Sequence, residues 1–213
     1  MQPSFTVSEL RGSNVLHAAE CVSTVFANRE PLCAALSITR EQMMSFCVPY
    51  FCHVMEHKLS LVASDVHTGK VVGAVIVEDP ILNQKNPPDL ASMDVVILPI
   101  LEILETVSAS FYKAGTHSVG SVAQILMIAV TDGYQNKGII QELHKRLIEQ
   151  LPGRGYTSLV TEPTGPISRH VFQKLGFEPY DSIVCSGFSF ENRYPFANMD
   201  QGELVHCMTR ELR

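Results

Sequence analysis

Ile125-Leu126-Met127-Ile128-Ala129-Val130-Thr131-Asp132-Gly133-Tyr134-Gln135-Asn136-Lys137-Gly138-Ile139-Ile140 decides the fold. It opens as an apolar run and passes into polar turn residues. It then becomes a helix, because Ile139, Ile140, Leu143, Leu147, Ile148 and Leu151 recur at helical spacing while Glu142, Lys145, Arg146 and Glu149 fall elsewhere. The unit reads strand, tight turn, helix. The first N–H groups of a helix have no partner inside it and carry the positive end of its dipole. Gly138 has no side chain, so an anion can approach the backbone there. Two readings stay open on spacing alone: a phosphate or pyrophosphate site, or an ordinary strand-to-helix turn. A Walker loop is excluded because no Gly-Lys-Ser/Thr closes the turn, and the dinucleotide fingerprint because only one glycine follows Gly133.

The 213-residue chain is long enough for one buried core, with 46% hydrophobic and 18% charged residues, and is expected to form a single domain over 1–213. A net charge of −6 argues against nucleic acid and suits a cationic substrate. No secretory signal is expected from Met1-Gln2-Pro3-Ser4, and no membrane partner. The six cysteines form no Cys-x-x-Cys pair and read as free thiols in a reducing, cytoplasmic setting. The histidines are scattered, so no metal is expected.

Working outward, Phe5-Thr6-Val7 reads as a strand, and Ser13 as the cap of a helix ending near Asn28-Arg29-Glu30-Pro31. A second helix starts after the cap candidate Thr39, is kinked or restarted by Pro49, and continues to about Lys58. Leu59–Ser64 and Val71–Val77 read as a hairpin, Asp79–Asp94 as a loop, and Met93–Lys113 as an apolar core or interface helix too short for a membrane span. Thr157–Thr161 is a strand and Pro166–Leu175 a helix closed by Gly176. Phe177–Cys185 and Glu203–Thr209 supply the last strands, with an aromatic loop between Gly187 and Gly202. There is no internal repeat.

Val130 to Ile140 resembles motif A of the GNAT superfamily of N-acetyltransferases: a valine, a short turn, an aromatic, then Gln/Arg-x-x-Gly-x-Gly/Ala. Here the last position is Ile140. Ser168-Arg169-His170-Val171-Phe172-Gln173-Lys174-Leu175-Gly176-Phe177 resembles the family's motif B, with Phe172 where many members carry a tyrosine that protonates the departing thiolate. Phe26-Ala27-Asn28-Arg29-Glu30-Pro31-Leu32 is similar to the Glu-Pro-Leu segment of insect-type arylalkylamine N-acetyltransferases, and Ser60–Ala63, Val71–Gly73 and His206–Arg210 fit the same pattern.

The resemblance implies a mixed α/β (α+β) fold, with a central twisted, mostly antiparallel sheet and helices on both faces. It implies acetyl-coenzyme A as co-substrate and direct transfer to a small-molecule primary amine, with an arylalkylamine as the narrower expectation. Gln135, Asn136, Lys137, Gly138, Ile139 and Ile140 would hold the pyrophosphate. The backbone of Ile128, Ala129 and Val130 would align the acetyl and pantetheine groups. Glu30 would be the general base, and Thr164 and Ser168, four apart, would assist proton transfer. Each has an ordinary reading beside it: Glu30 as a cap of the next segment, Thr164 as the cap of the helix at Pro166, Ser168 facing solvent. His144 and His170 read as surface residues, and Cys185 as a buried strand thiol. The acceptor could instead be a polyamine, an amino acid or a protein N-terminus, and Phe172 and Ile140 favour a non-catalytic coenzyme A-binding module. The aromatic loop from Phe188 to Phe196 would suit an aromatic amine or the contact of a homodimer.

Overall fold

The computed structural model describes residues 4–212. Met1-Gln2-Pro3, read above for a secretory signal, lies outside them. Seven strands form one sheet: β1 (Phe5–Glu9), β2 (Leu61–Asp65), β3 (Val71–Glu78), β4 (Val122–Val130), β5 (Ser158–Thr161), β6 (Glu178–Val184) and β7 (Leu204–Glu211). Their order is β1-β2-β3-β4-β5-β7-β6. Among the described residues only the β4–β5 pair is parallel. The helices are α1 (Val15–Arg29), α2 (Pro31–Ala35), α3 (Arg40–Val54), α4 (Pro80–Lys85), α5 (Leu98–Ala114), α6 (Ile139–Gln150) and α7 (Pro166–Lys174).

Strand alternation sends successive side chains to opposite faces, and both faces are covered. Ala74, Ile76, Met127, Ala129 and Val160 meet α1, α3 and α5. Val75, Val77, Ala123, Ile125 and Leu159 meet α6 and, through Phe172, α7. The expected sheet with helices on both faces is therefore observed. Gly73 lets α6 come close: a Cβ there would lie 2.7 Å from Ile139 Cγ2.

Several local expectations are corrected. Asn14, not Ser13, precedes α1, and its side chain bonds back to the Arg11 N–H and the Glu9 carbonyl instead of capping. Thr39 caps α3 with Gln42 in a reciprocal capping box, as expected, but α3 runs as one helix through Pro49 and is not restarted there. The segment 79–94 is not all loop: Asp79 caps α4 by accepting from Ile81 and Leu82 N–H at 3.0 Å, with Pro80 at the first helical position. Val95–Ala114 is long and apolar enough by composition to cross a membrane, contrary to the expectation that it is too short. In the fold it packs on β6 and β7 through Ile103 and Val107, which are buried.

The sheet splits where the organising strand leaves its neighbour. β4 pairs with β5 from Val122↔Ser158 to Ile125↔Thr161 and no further. Beyond Thr161 the chain stays with β7, where Pro163 accepts the His206 N–H at 3.1 Å. β4 continues alone to Val130, and a bulge at Leu126 shifts its register against β3. A wedge opens between Leu126–Val130 and Glu162–Gly165.

Candidate active site

The wedge is the mouth of a cleft of about 380 Å³. Its apolar walls come from α1 (Val25, Phe26), α3 (Met43, Phe46) and α5 (Ile100, Leu104). Its floor is Leu126 to Val130, and one side is the segment Glu162 to Ser168. Thr131 N–H donates back to Val72 of β3 at 3.0 Å. Backbone direction alternates along a strand, so the N–H groups of Ile128 and Val130 turn the other way, into the gap left by β5.

At one end of the cleft lies the strand-to-helix turn. Asn136 (φ 59°), Gly133 (φ 80°) and Gly138 (φ 79°) adopt left-handed conformations there. That curls the loop so that successive N–H groups face outward, a concavity suited to an anion. Among the described residues, the N–H groups of Gln135, Asn136, Lys137 and Gly138 engage no protein acceptor. A Cβ on Gly138 would meet nothing within 4 Å, so space lies open beside the backbone. Gln135 and Ile140 line the cleft, whereas the Ile139 side chain is buried against the sheet. Lys137 lies over the Tyr134 ring, 4.5 Å from its centre. Asp132, a carboxylate unwelcome beside an anion, is paired with Arg29. These features fit a pyrophosphate, with Ile140 narrowing the entrance more than glycine would.

At the other end, Glu30 joins α1 to α2. Its two carboxylate oxygens accept from Leu32 N–H (3.1 Å) and Cys33 N–H (2.5 Å), so it does cap α2. It also lines the cleft, so capping and exposure to a substrate coexist. Pro31 carries this corner across to the motif B side: a Cβ on Gly165 would lie 2.9 Å from Pro31 Cγ. The structure thus brings Glu30, Thr164 and Ser168 to one cleft. Gly165, not Thr164, precedes α7, and no side chain caps that helix. Ser168 Oγ donates to the Gly165 carbonyl at 3.0 Å.

Phe172 lines the cleft, is buried, and stands edge-on to Phe177 at 5.1 Å. Among the described residues no tyrosine, histidine or lysine lines the cleft; its ionisable side chains are Arg29, Glu30, Cys33 and Glu162. Burial, with the Glu30 carboxylate beside it, pushes the Cys33 thiol far above its ordinary range, so it stays neutral. Phe172→Leu is therefore expected to lower stability by on the order of 1 kcal/mol through lost packing, while both limbs of the pH–rate profile stay in place. Loss of the alkaline limb would show that the proton donor works through this position.

Sequence reasoning does not find Glu162, because the strand reads as ending at Thr161. Glu162 is 8% exposed. Burial raises its carboxyl to about 8, with Glu78 adding repulsion. Glu78, also buried, is raised to about 7. Both groups hold a proton in the folded state that the unfolded chain has lost near its ordinary 4.5. Stability from them is complete below that value and is lost as pH rises through 7 to 8. His57, His144 and His206 are lowered by burial and act oppositely below 6.5. The melting temperature is accordingly expected to fall from pH 6.5 to 8, and Glu162→Gln to flatten part of that fall; a rising curve there would contradict the buried carboxyls.

Other expectations change. His144 is buried, not at the surface. Cys185 is buried but sits in a 3-10 turn after β6 rather than in a strand. The aromatic loop does not reach the cleft: Phe188 and Phe196 are buried against the core, their rings 6.1 Å apart.

A parting β4–β5 pair, an amide-lined helix entrance and an apolar cleft at the junction define the N-acetyltransferase class of fold. Residues 46–177 match the model of the acetyltransferase (GNAT) family, and the chain belongs to that family. Among solved structures, it is similar to the C-terminal condensation domain of Ebony in complex with β-alanyl-dopamine (TM-score 0.85, 14% identity, 97% of this chain and 98% of that one). It is also similar to arylalkylamine N-acetyltransferase 7 from the mosquito Aedes aegypti, described as putative in that structure (0.80, 18%, 98% and 88%). A third is the Drosophila melanogaster polyamine N-acetyltransferase that forms N-acetylagmatine (0.72, 13%, 98% and 100%). At these identities the likeness is one of fold.

Proposed function

We propose that this protein transfers an acetyl group from acetyl-coenzyme A directly to the primary amine of a small molecule with an apolar body, an arylalkylamine being the best fit. The supporting observation is the cleft, where aliphatic and aromatic walls meet the carboxylate of Glu30 beside the wedge in the sheet. A polyamine would carry several cations into those walls, each at a desolvation cost. An ammonium must lose a proton before its nitrogen can attack a thioester, and Glu30 accepts it directly or through water. The Ile128 N–H stabilises charge developing on the carbonyl oxygen. The Gln135–Ile140 turn holds the pyrophosphate. Ser168, with Thr164 beside it, passes a proton toward the leaving thiolate. The free thiols suit a reducing, cytoplasmic setting.

The test is thiol release from acetyl-coenzyme A with a panel of amines. Phenethylamine is expected to outperform putrescine, amino acids and a peptide N-terminus. Coenzyme A binding without thiol release for any amine would favour the second reading, a non-catalytic binding module, which Ile140 and Phe172 support.

A further inference from the structure

Glu162 is the first residue beyond the last paired position of β5, at the point where β4 and β5 part. It lines the cleft. One carboxylate oxygen, Oε2, accepts from Gln124 Nε2 at 3.0 Å, and Gln124 Oε1 in turn accepts from Tyr112 O–H at 2.9 Å. That chain fixes the carboxyl group. The other oxygen, Oε1, is buried and has no partner, because the Ser108 hydroxyl beside the carboxyl donates to the Leu104 carbonyl at 2.8 Å. Glu78 differs: its Oε2 accepts from both Tyr50 O–H and Asn83 Nδ2, none of its buried oxygens lacks a partner, and it does not line the cleft. A buried carboxylate held for structure has its donors supplied by the protein. Glu162, a cleft-lining residue, keeps one buried carboxylate oxygen without a donor.

We propose that Glu162 binds the ammonium group of the acceptor through Oε1, leaving Glu30 to take the proton. This rests on the amine-acceptor reading and names the group that recognises the cation. A docked ammonium supplies both the missing donor and the missing counter-charge. Glu78 from β3, Tyr50 from α3, Tyr112 and Ser108 from α5, Gln124 from β4 and Cys207 from β7 face Glu162, and none is a cation. In the empty cleft the carboxyl is therefore protonated at neutral pH. Docking RNH₃⁺ leaves RNH₃⁺ paired with the carboxylate, and the carboxyl proton goes to solvent.

The experiment is calorimetric binding of phenethylamine without acyl donor at pH 7, in buffers of different ionisation enthalpy. Release of close to one proton is expected. Phenylethanol, which lacks the cation, is expected to release none. Glu162→Gln is expected to weaken amine binding about tenfold or more and to abolish proton release, and to raise KM for the amine more than it lowers kcat. Glu162→Asp, a second variant should the first not fold, is expected to keep proton release at reduced affinity. Glu30→Gln is expected to keep it too. Unchanged affinity and proton release in Glu162→Gln, or no amine binding to the wild type, would overturn the assignment. Proton-coupled amine binding that depends on Glu162 but leads to no thiol release would uphold it while the acetyl-transfer reading falls.

Discussion

Gly138→Asp is expected to weaken acetyl-coenzyme A binding by far more than tenfold while the fold persists. The cause is electrostatic and local. Gln135 to Gly138 present unengaged N–H groups at the entrance to α6, and open space lies beside Gly138. An aspartate side chain would occupy that space with a negative charge and compete for the same donors. The backbone itself tolerates the change: φ is 79°, a left-handed conformation that asparagine and aspartate visit at modest cost. Calorimetry with acetyl-coenzyme A reads the affinity and thermal unfolding reads the fold. Unchanged affinity in a folded variant would place the pyrophosphate elsewhere. Gly138→Ala separates strain from charge, since it adds the Cβ without the carboxylate and is expected to lose less.

What was legible in the sequence follows from the range of the interactions involved. The turn from Val130 to Ile140 was readable because its determinants are local: an apolar strand, a glycine at the helix entrance and a periodic helix lie within one short stretch. The Thr39 cap was readable for the same reason. Glu162 was not. A charged residue after Leu159-Val160-Thr161 looks like the place where a strand reaches solvent. Its burial depends on Gln124 and Tyr112, both distant in sequence. His144 misled similarly, since α6 buries a wider arc than its leucines and isoleucines mark. The three prolines of 79–94 read as loop, although Pro80 after a capping Asp79 is also how a short helix begins. The corner that joins Glu30 to Thr164 and Ser168 was implied by resemblance alone. The observed device is the contact of Pro31 with Gly165, a tertiary feature with no local signal.

Glu30→Gln is expected to lower turnover by about 10²- to 10⁴-fold, the usual loss on removing a general base, with acetyl-coenzyme A affinity nearly unchanged. Because Glu30 also caps α2, stability changes as well. Glutamine keeps one carbonyl oxygen to accept from Leu32 or Cys33, but turns an NH₂ group toward the other N–H. The cost is about 0.5–2 kcal/mol, that of a lost cap. The two roles separate by pH. A cap contributes equally to rate at every pH, whereas a base matters less as pH approaches the amine's own pKa, where free amine is abundant. The rate deficit of Glu30→Gln is therefore expected to shrink with rising pH while its lowered melting temperature does not recover. Glu30→Asp adds a further separation. Aspartate caps helices well but carries the carboxylate one methylene further from the cleft, so stability is expected to return more fully than turnover. A variant with lowered melting temperature but turnover within a few-fold, at every pH, would leave Glu30 as a cap alone. Glu162, the other carboxylate in the cleft, would then be left to accept the proton as well as bind the cation.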